Sequence, residues 1–180
     1  LDPFSSGPGL VPLVGVRTLN GQPSDPEGLN LDLPATHAAG RMARRVAHEY
    51  AATRGVAGEG LDRLVFVVGE LLDNAVDHGG GQAALDQSEL EGDVRVHLEM
   101  KVHGESCWEV HVEDESDLSP EALTKLLGED AEMPDLEDPR GRGLLLLRGF
   151  ADSVTASASS RGNGLRVSVH LGSSPDAPTP

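Results

Sequence analysis

Midway along this chain the spacing of apolar residues switches from the helical period to two. That switch restricts the fold more than any other feature. Before it, Ala39, Met42, Ala43, Val46, Ala47 and Tyr50 recur at helical spacing. They predict a first helix over about 34–54, capped by Thr36 or a neighbour and ended by Gly55. A second helix is predicted from about Glu59 to His78, where the glycines at 79–81 stop it. After the switch, Val94, Val96, Leu98, Met100 and Val102 alternate with Arg95, His97, Glu99 and Lys101. HGES (103–106) reads as a turn, and Trp108, Val110 and Val112 then alternate with Glu109, His111 and Glu113. A second hairpin pairs Val154, Ala156 and Ala158 with Leu165, Val167, Val169 and Leu171 across RGNG (161–164). Helices followed by hairpins predict an α+β fold: a two-layer sandwich, with an antiparallel-rich mixed sheet and helices on one face.

The rest of the chain frames that domain. Residues 1–28 are rich in Pro, Gly and Ser and read as a flexible arm, with VPLVGV (11–16) as a candidate edge strand. The domain is expected over 29–172, and SSPDAPTP (173–180) reads as a disordered tail. Between the hairpins, 115–140 is acidic and irregular, with a short helix expected around 120–128. A third helix is expected from Gly141-Arg142-Gly143 onward. With 180 residues the chain fits one domain, and at 3% aromatic content its core must be Leu, Val and Ala. The net charge of −16 disfavours nucleic acid and anionic membranes, which need clustered Lys and Arg, and suits a basic protein partner. The longest apolar run, LVFVV (64–68), is far below the roughly 20 residues of a membrane span. The lone Cys107 excludes an internal disulfide. The expectation is a cytoplasmic protein.

The sharpest chemical signal is VFVVGELLDNAVDHGGG (65–81). Glu70, Asn74 and His78 sit four apart and fall within roughly 80° on one helix face. Leu64, Val65, Val68, Leu72, Ala75 and Val76 gather opposite and face the sheet. A carboxylate and an amide oxygen are hard donors, suited to a Mg²⁺ that keeps waters and takes its remaining ligands from phosphate. The bland reading is a polar outer face, with His78 placed by the helix dipole. The second signal is DPRGRGLLLL (138–147): two glycines open a helix whose free N–H groups can meet phosphate, with Arg140 and Arg142 adding charge. A plain loop-to-helix turn is the alternative. The third is Asp114, which ends a strand and either caps a loop or accepts from a ligand amine.

Glu-x-x-x-Asn-Ala-x-x-His-Gly, an Asp at a strand end, an acidic stretch, then Gly-x-Gly-Leu: in this order the chain resembles the GHKL superfamily of gyrase, chaperone, histidine kinase and mismatch-repair ATPases over about 29–171. Its His-Gly ending and small size resemble the anti-sigma-factor serine-protein kinases, the RsbW-like branch. The resemblance implies ATP and Mg²⁺ as ligands. It makes Glu70 the base that activates a protein serine and Asn74 the Mg²⁺ ligand. It places His78, Asp114 and Ser116 at the nucleotide, with Asp114 on the adenine amine. It places Arg140, Gly141, Arg142, Gly143 and Leu144 at the phosphates, under a lid over 117–140. The implied partners are a sigma factor and an anti-anti-sigma protein, with a homodimer. One departure stands out. The family's first glycine box is Asp-x-Gly-x-Gly, and this chain reads Asp114-Glu115-Ser116-Asp117-Leu118.

Three other readings compete. A degenerate module could act by partner sequestration alone. A sensor histidine kinase could use His48-Glu49 as phosphoacceptor, although no second helix forms a dimerisation hairpin. A zinc site could draw on His97, His103 and His111, although a solvated sheet face explains them better.

Overall fold

The computed structural model describes residues 28–80, 82–104, 106–127 and 142–172. The elements run β1 (Leu29–Pro34), α1 (His37–Thr53), α2 (Gly58–His78), β2 (Arg95–Gly104), β3 (Cys107–Glu113), α3 (Pro120–Leu127), α4 (Arg142–Phe150), β4 (Ser153–Ala158) and β5 (Leu165–Leu171). The strands form one sheet in the order β1-β2-β3-β5-β4. The sheet expected as mixed is antiparallel at every pairing among the described residues. The VPLVGV stretch, the tail and 128–141 lie outside the described residues.

Local chemistry sets the helix ends. Thr36 Oγ1 accepts from the Ala39 N–H at 3.2 Å and caps α1, and Gly55 turns the chain out at φ 87°. The buried stripe of α1 is Ala39, Gly40, Ala43, Ala47 and Ala51. Such small residues let α1 lie close along α2, whose Leu64, Val67, Val68, Leu71, Leu72, Ala75 and Val76 are buried.

The register explains why one sheet face takes the helices. One cross-strand row on the inner face reads Leu31, Leu98, Val112, Val167 and Ala156, and the next reads Leu29, Met100, Val110, Val169 and Val154. Trp108 is fully buried in the same core. β1 is an element that the composition of the N-terminal region conceals. Its signal is the alternation Leu29, Leu31, Leu33, which ends at Pro34 where an edge strand tolerates proline.

The outer face corrects the expectation of a solvated surface. Its rows are Asp32-His97-Glu113-Arg166-Ser157 and Asn30-Glu99-His111-Ser168-Thr155. His97, His111, Glu113 and Ser168 are all buried, Glu113 to 3% exposure. Neighbouring side chains cover them. Glu113 accepts from the Ser159 hydroxyl at 2.6 Å, from the Ser160 N–H at 3.0 Å and from Arg166, which also reaches Glu99 at 3.0 Å. Burial alone would raise the Glu113 carboxyl, but the bonds from Ser159, Arg166 and Ser160 outweigh it and hold it at about 2.

Candidate functional site

The site lies where the C-terminal half of α2 meets the start of α4 and the loop after β3. Glu70 and Asn74 project from one face of α2, both partly buried. Gly143, in the first turn of α4, sits directly over them. A Cβ on residue 143 would collide with Glu70 Oε2 and stand 3.8 Å from Asn74 Nδ2. Glycine here lets the start of α4 approach the Glu70 carboxylate without displacing it.

Two groups here are electrostatically unusual. Burial raises the Glu70 carboxyl, the charge of Asp73 raises it further, and Arg44 on α1 pulls it back. Asn74 Nδ2 is buried without a hydrogen-bond partner among the described residues. A buried amide end of this kind costs stability unless a ligand satisfies it.

The other end of the site is built around Asp114. Its N–H donates to Leu165 O at 3.0 Å, and its Oδ1 accepts from the Ser116 N–H at 2.9 Å. Burial raises its carboxyl, and hydrogen bonds from Ser116 and the charge of His78 act the other way. Two glycines press on it. A Cβ on Gly79 would collide with Ala75 O and stand 2.6 Å from Asp114 Cβ, and one on Gly164, at φ 134°, would collide with Asp114 O. Beside Asp114 opens a cavity of about 400 Å³ lined by His78, Gly80, Glu115, Ser116, Asp117, Leu118 and Ser119.

This bears on the missing glycines. Gln82 and Ala83 are the non-glycine residues with positive φ among those described, so Ser116 and Leu118 adopt conformations open to any residue. Ser116 is buried in the cavity wall, whereas the Leu118 side chain is 43% exposed.

Of the expected site residues, the structure thus gathers Glu70, Asn74 and Gly143 at one end and His78, Asp114 and Ser116 at the other. Arg140 and Gly141 lie outside the described residues, as do the side chains of Arg142 and Leu144. Sequence reasoning missed Gly79 and Gly164 as walls of the Asp114 end. It also missed Arg44 and His37, which α1 lays along α2. His37 bridges Asp73 at 3.3 Å and Asp77 at 3.0 Å.

Residues 33–169 match a family model described as the histidine kinase-like ATPase domain. The chain belongs to that family. Among solved structures it is similar to a chain of the SiaB–SiaC complex from Pseudomonas aeruginosa, with a TM-score of 0.57 and 12% identity, over 79% of this chain and 87% of that one. At that identity the likeness is one of fold. No curated protein matches the chain. Membership in the family implies ATP, commonly with Mg²⁺, and the residues present fit both. Gly143 brings the start of α4 against Glu70 and Asn74 with no side chain between, and the buried Asn74 Nδ2 lacks a partner among the described residues. Turning that amide by 180° would present Oδ1, a hard donor, in the same place. The cavity beside Asp114 has room for a planar base. No helix among the described residues is long and apolar enough to cross a membrane.

Proposed function

We propose that this chain is an ATP- and Mg²⁺-dependent regulator of the anti-sigma type, which binds a sigma factor and phosphorylates an anti-anti-sigma protein on serine. The observation that carries this reading is the meeting of Glu70 and Asn74 with Gly143. A complex of the similar fold with a second protein supports a protein partner. ATP, when bound, supplies the phosphoryl group, and Mg²⁺ offsets its charge. Asp114 and the cavity beside it hold the base. Asn74 would ligate the metal, and Gly141, Arg142, Gly143 and Leu144 would flank the phosphates. Glu70 takes the proton from the incoming serine hydroxyl. Its burial suits that task, because a carboxylate with a raised pKa is the stronger base. In this reading Arg140 or Arg142 would contact the γ-phosphate, and the segment 117–140 would serve as the lid. Its described part holds α3, which packs on β4 with Leu123 buried. A homodimer in the cytoplasm belongs to the same reading.

Calorimetric titration with ATP, with and without Mg²⁺, tests the binding. Micromolar, Mg²⁺-dependent affinity supports it. No heat up to millimolar nucleotide sinks it and leaves a module that acts through protein contact alone. The missing glycines at 116 and 118 favour that second reading, but the ordinary backbone there removes most of their weight.

A further inference from the structure

α1 and α2 pack closely through small residues, and one consequence reaches the site. Gly69, buried inside α2, leaves a notch where a side chain would stand. Arg44 of α1 fills it. A Cβ on residue 69 would lie 3.0 Å from Arg44 Nη1 and 3.2 Å from its Cδ. Glycine inside a helix costs about 1 kcal/mol relative to alanine. Here that cost coincides with a guanidinium seated against the backbone of the residue that precedes Glu70.

Arg44 makes no ion pair or hydrogen bond with a side chain among the described residues. Asp73, the other charge acting on Glu70, is engaged by His37. The α1 helix therefore presents two basic side chains seven residues apart, on one face, to the acidic side of α2. One serves Asp73 and Asp77, and the other lies in the Gly69 notch.

We propose that Arg44 is a positioning residue for Glu70: held in the notch of Gly69, its guanidinium supplies a counter-charge to the Glu70 carboxylate, which lies against the start of α4. This rests on the reading of Glu70 as the base, and it concerns a coupling that exists before any ligand binds. Among the described residues, the charged groups acting on Glu70 are Asp73 on its own helix and Arg44 from α1, and Gly143 of α4 lies against its carboxylate.

The test is a side-chain carboxyl titration of Glu70 by NMR on the full chain without nucleotide. R44M removes the charge and keeps the length, R44K keeps the charge, and G69A fills the notch. R45M on the exposed side is the control. Expected is an upward shift of the Glu70 midpoint in R44M and G69A, with R44K and R45M close to wild type. An unchanged Glu70 midpoint in R44M overturns the proposal, as does an equal shift in R45M. Because G69A can disturb the helix pair, R44M is the deciding variant. With phosphotransfer in hand, R44M should also move the acid limb of the pH profile upward, whereas a merely structural role would lower the rate equally at all pH. Loss of transfer in no variant, including E70A, would sink the reading of Glu70 as base while leaving the NMR coupling intact.

Discussion

The two ends of the site are both shaped by glycines, but the glycines press on different things. At the Asp114 end, Gly79 meets the carbonyl of Ala75 and Gly164 meets the carbonyl of Asp114. Both contacts are with backbone locked in a helix or next to a strand, and neither can give. At the Glu70 end, Gly143 meets a carboxylate oxygen and Gly69 meets a guanidinium. Both are the tips of flexible side chains. The Asp114 end is thus backed by rigid backbone, and the Glu70 end by side chains that can move. Under the proposed function, the rigid end would hold the nucleotide base and the adjustable end would meet the incoming protein serine.

Substitutions can break this contrast. The largest effect is expected from E70A, which should lower phosphotransfer by about 10²–10⁴-fold while nucleotide binding stays within about threefold. Single-turnover transfer to a candidate partner, alongside calorimetry, reads both. Next is G164A. Its left-handed backbone and its collision with Asp114 O should cost about 3 kcal/mol in urea unfolding. G143A sharpens the comparison. The new methyl can push the Glu70 carboxylate aside, so transfer should fall about tenfold with under about 1 kcal/mol lost from stability. Equal stability losses in G164A and G143A would erase the distinction between the two ends. The smallest effect is expected from S116G. Ser116 already has an ordinary φ, so restoring the family's glycine should change nucleotide affinity by less than about threefold. A gain of a hundredfold would show that the hydroxyl, not the backbone, obstructs the cavity.

Protonation divides the molecule in a parallel way. Burial and Asp73 raise Glu70, so transfer should decline with falling pH from a point above the ordinary 4.5 of a glutamate. Glu113 is depressed to about 2. Its contribution to stability is therefore complete above about 4.5 and lost as pH falls toward about 2. E113Q should remove that acid-sensitive component, and comparing urea midpoints of the two proteins between pH 2 and 6 measures it.

Much of this was readable from residue order. Both long helices, the glycine and threonine that bound α1, and the two hairpins follow from period and punctuation. The row Glu70, Asn74, His78 follows from spacing four. β1 was hidden because its Leu29, Leu31 and Leu33 adjoin a stretch whose composition reads as an arm. The outer sheet face was misjudged because alternation tells which side chains point away from the core, not how densely their neighbours cover them. Glu113 is buried by Ser159, Ser160 and Arg166, which arrive from about fifty residues away. Arg44 could not be singled out from Arg41 and Arg45, because the contact that distinguishes it is made by another helix. The same holds for Gly164, whose turn is evident but whose pressure on Asp114 is not.

α2 carries Glu70 and His78 on a single unbroken rod. At 1.5 Å per residue their separation along its axis is about 12 Å. The helix therefore acts as a gauge. Its two marks are fixed by hydrogen-bonded backbone and not by any side chain. Adding one residue between them would turn one mark by about 100° relative to the other. A side chain at either mark can be exchanged, but the distance between the two positions stays the same. Under the proposed function, that fixed spacing would set the distance between the general base and the nucleotide's far end.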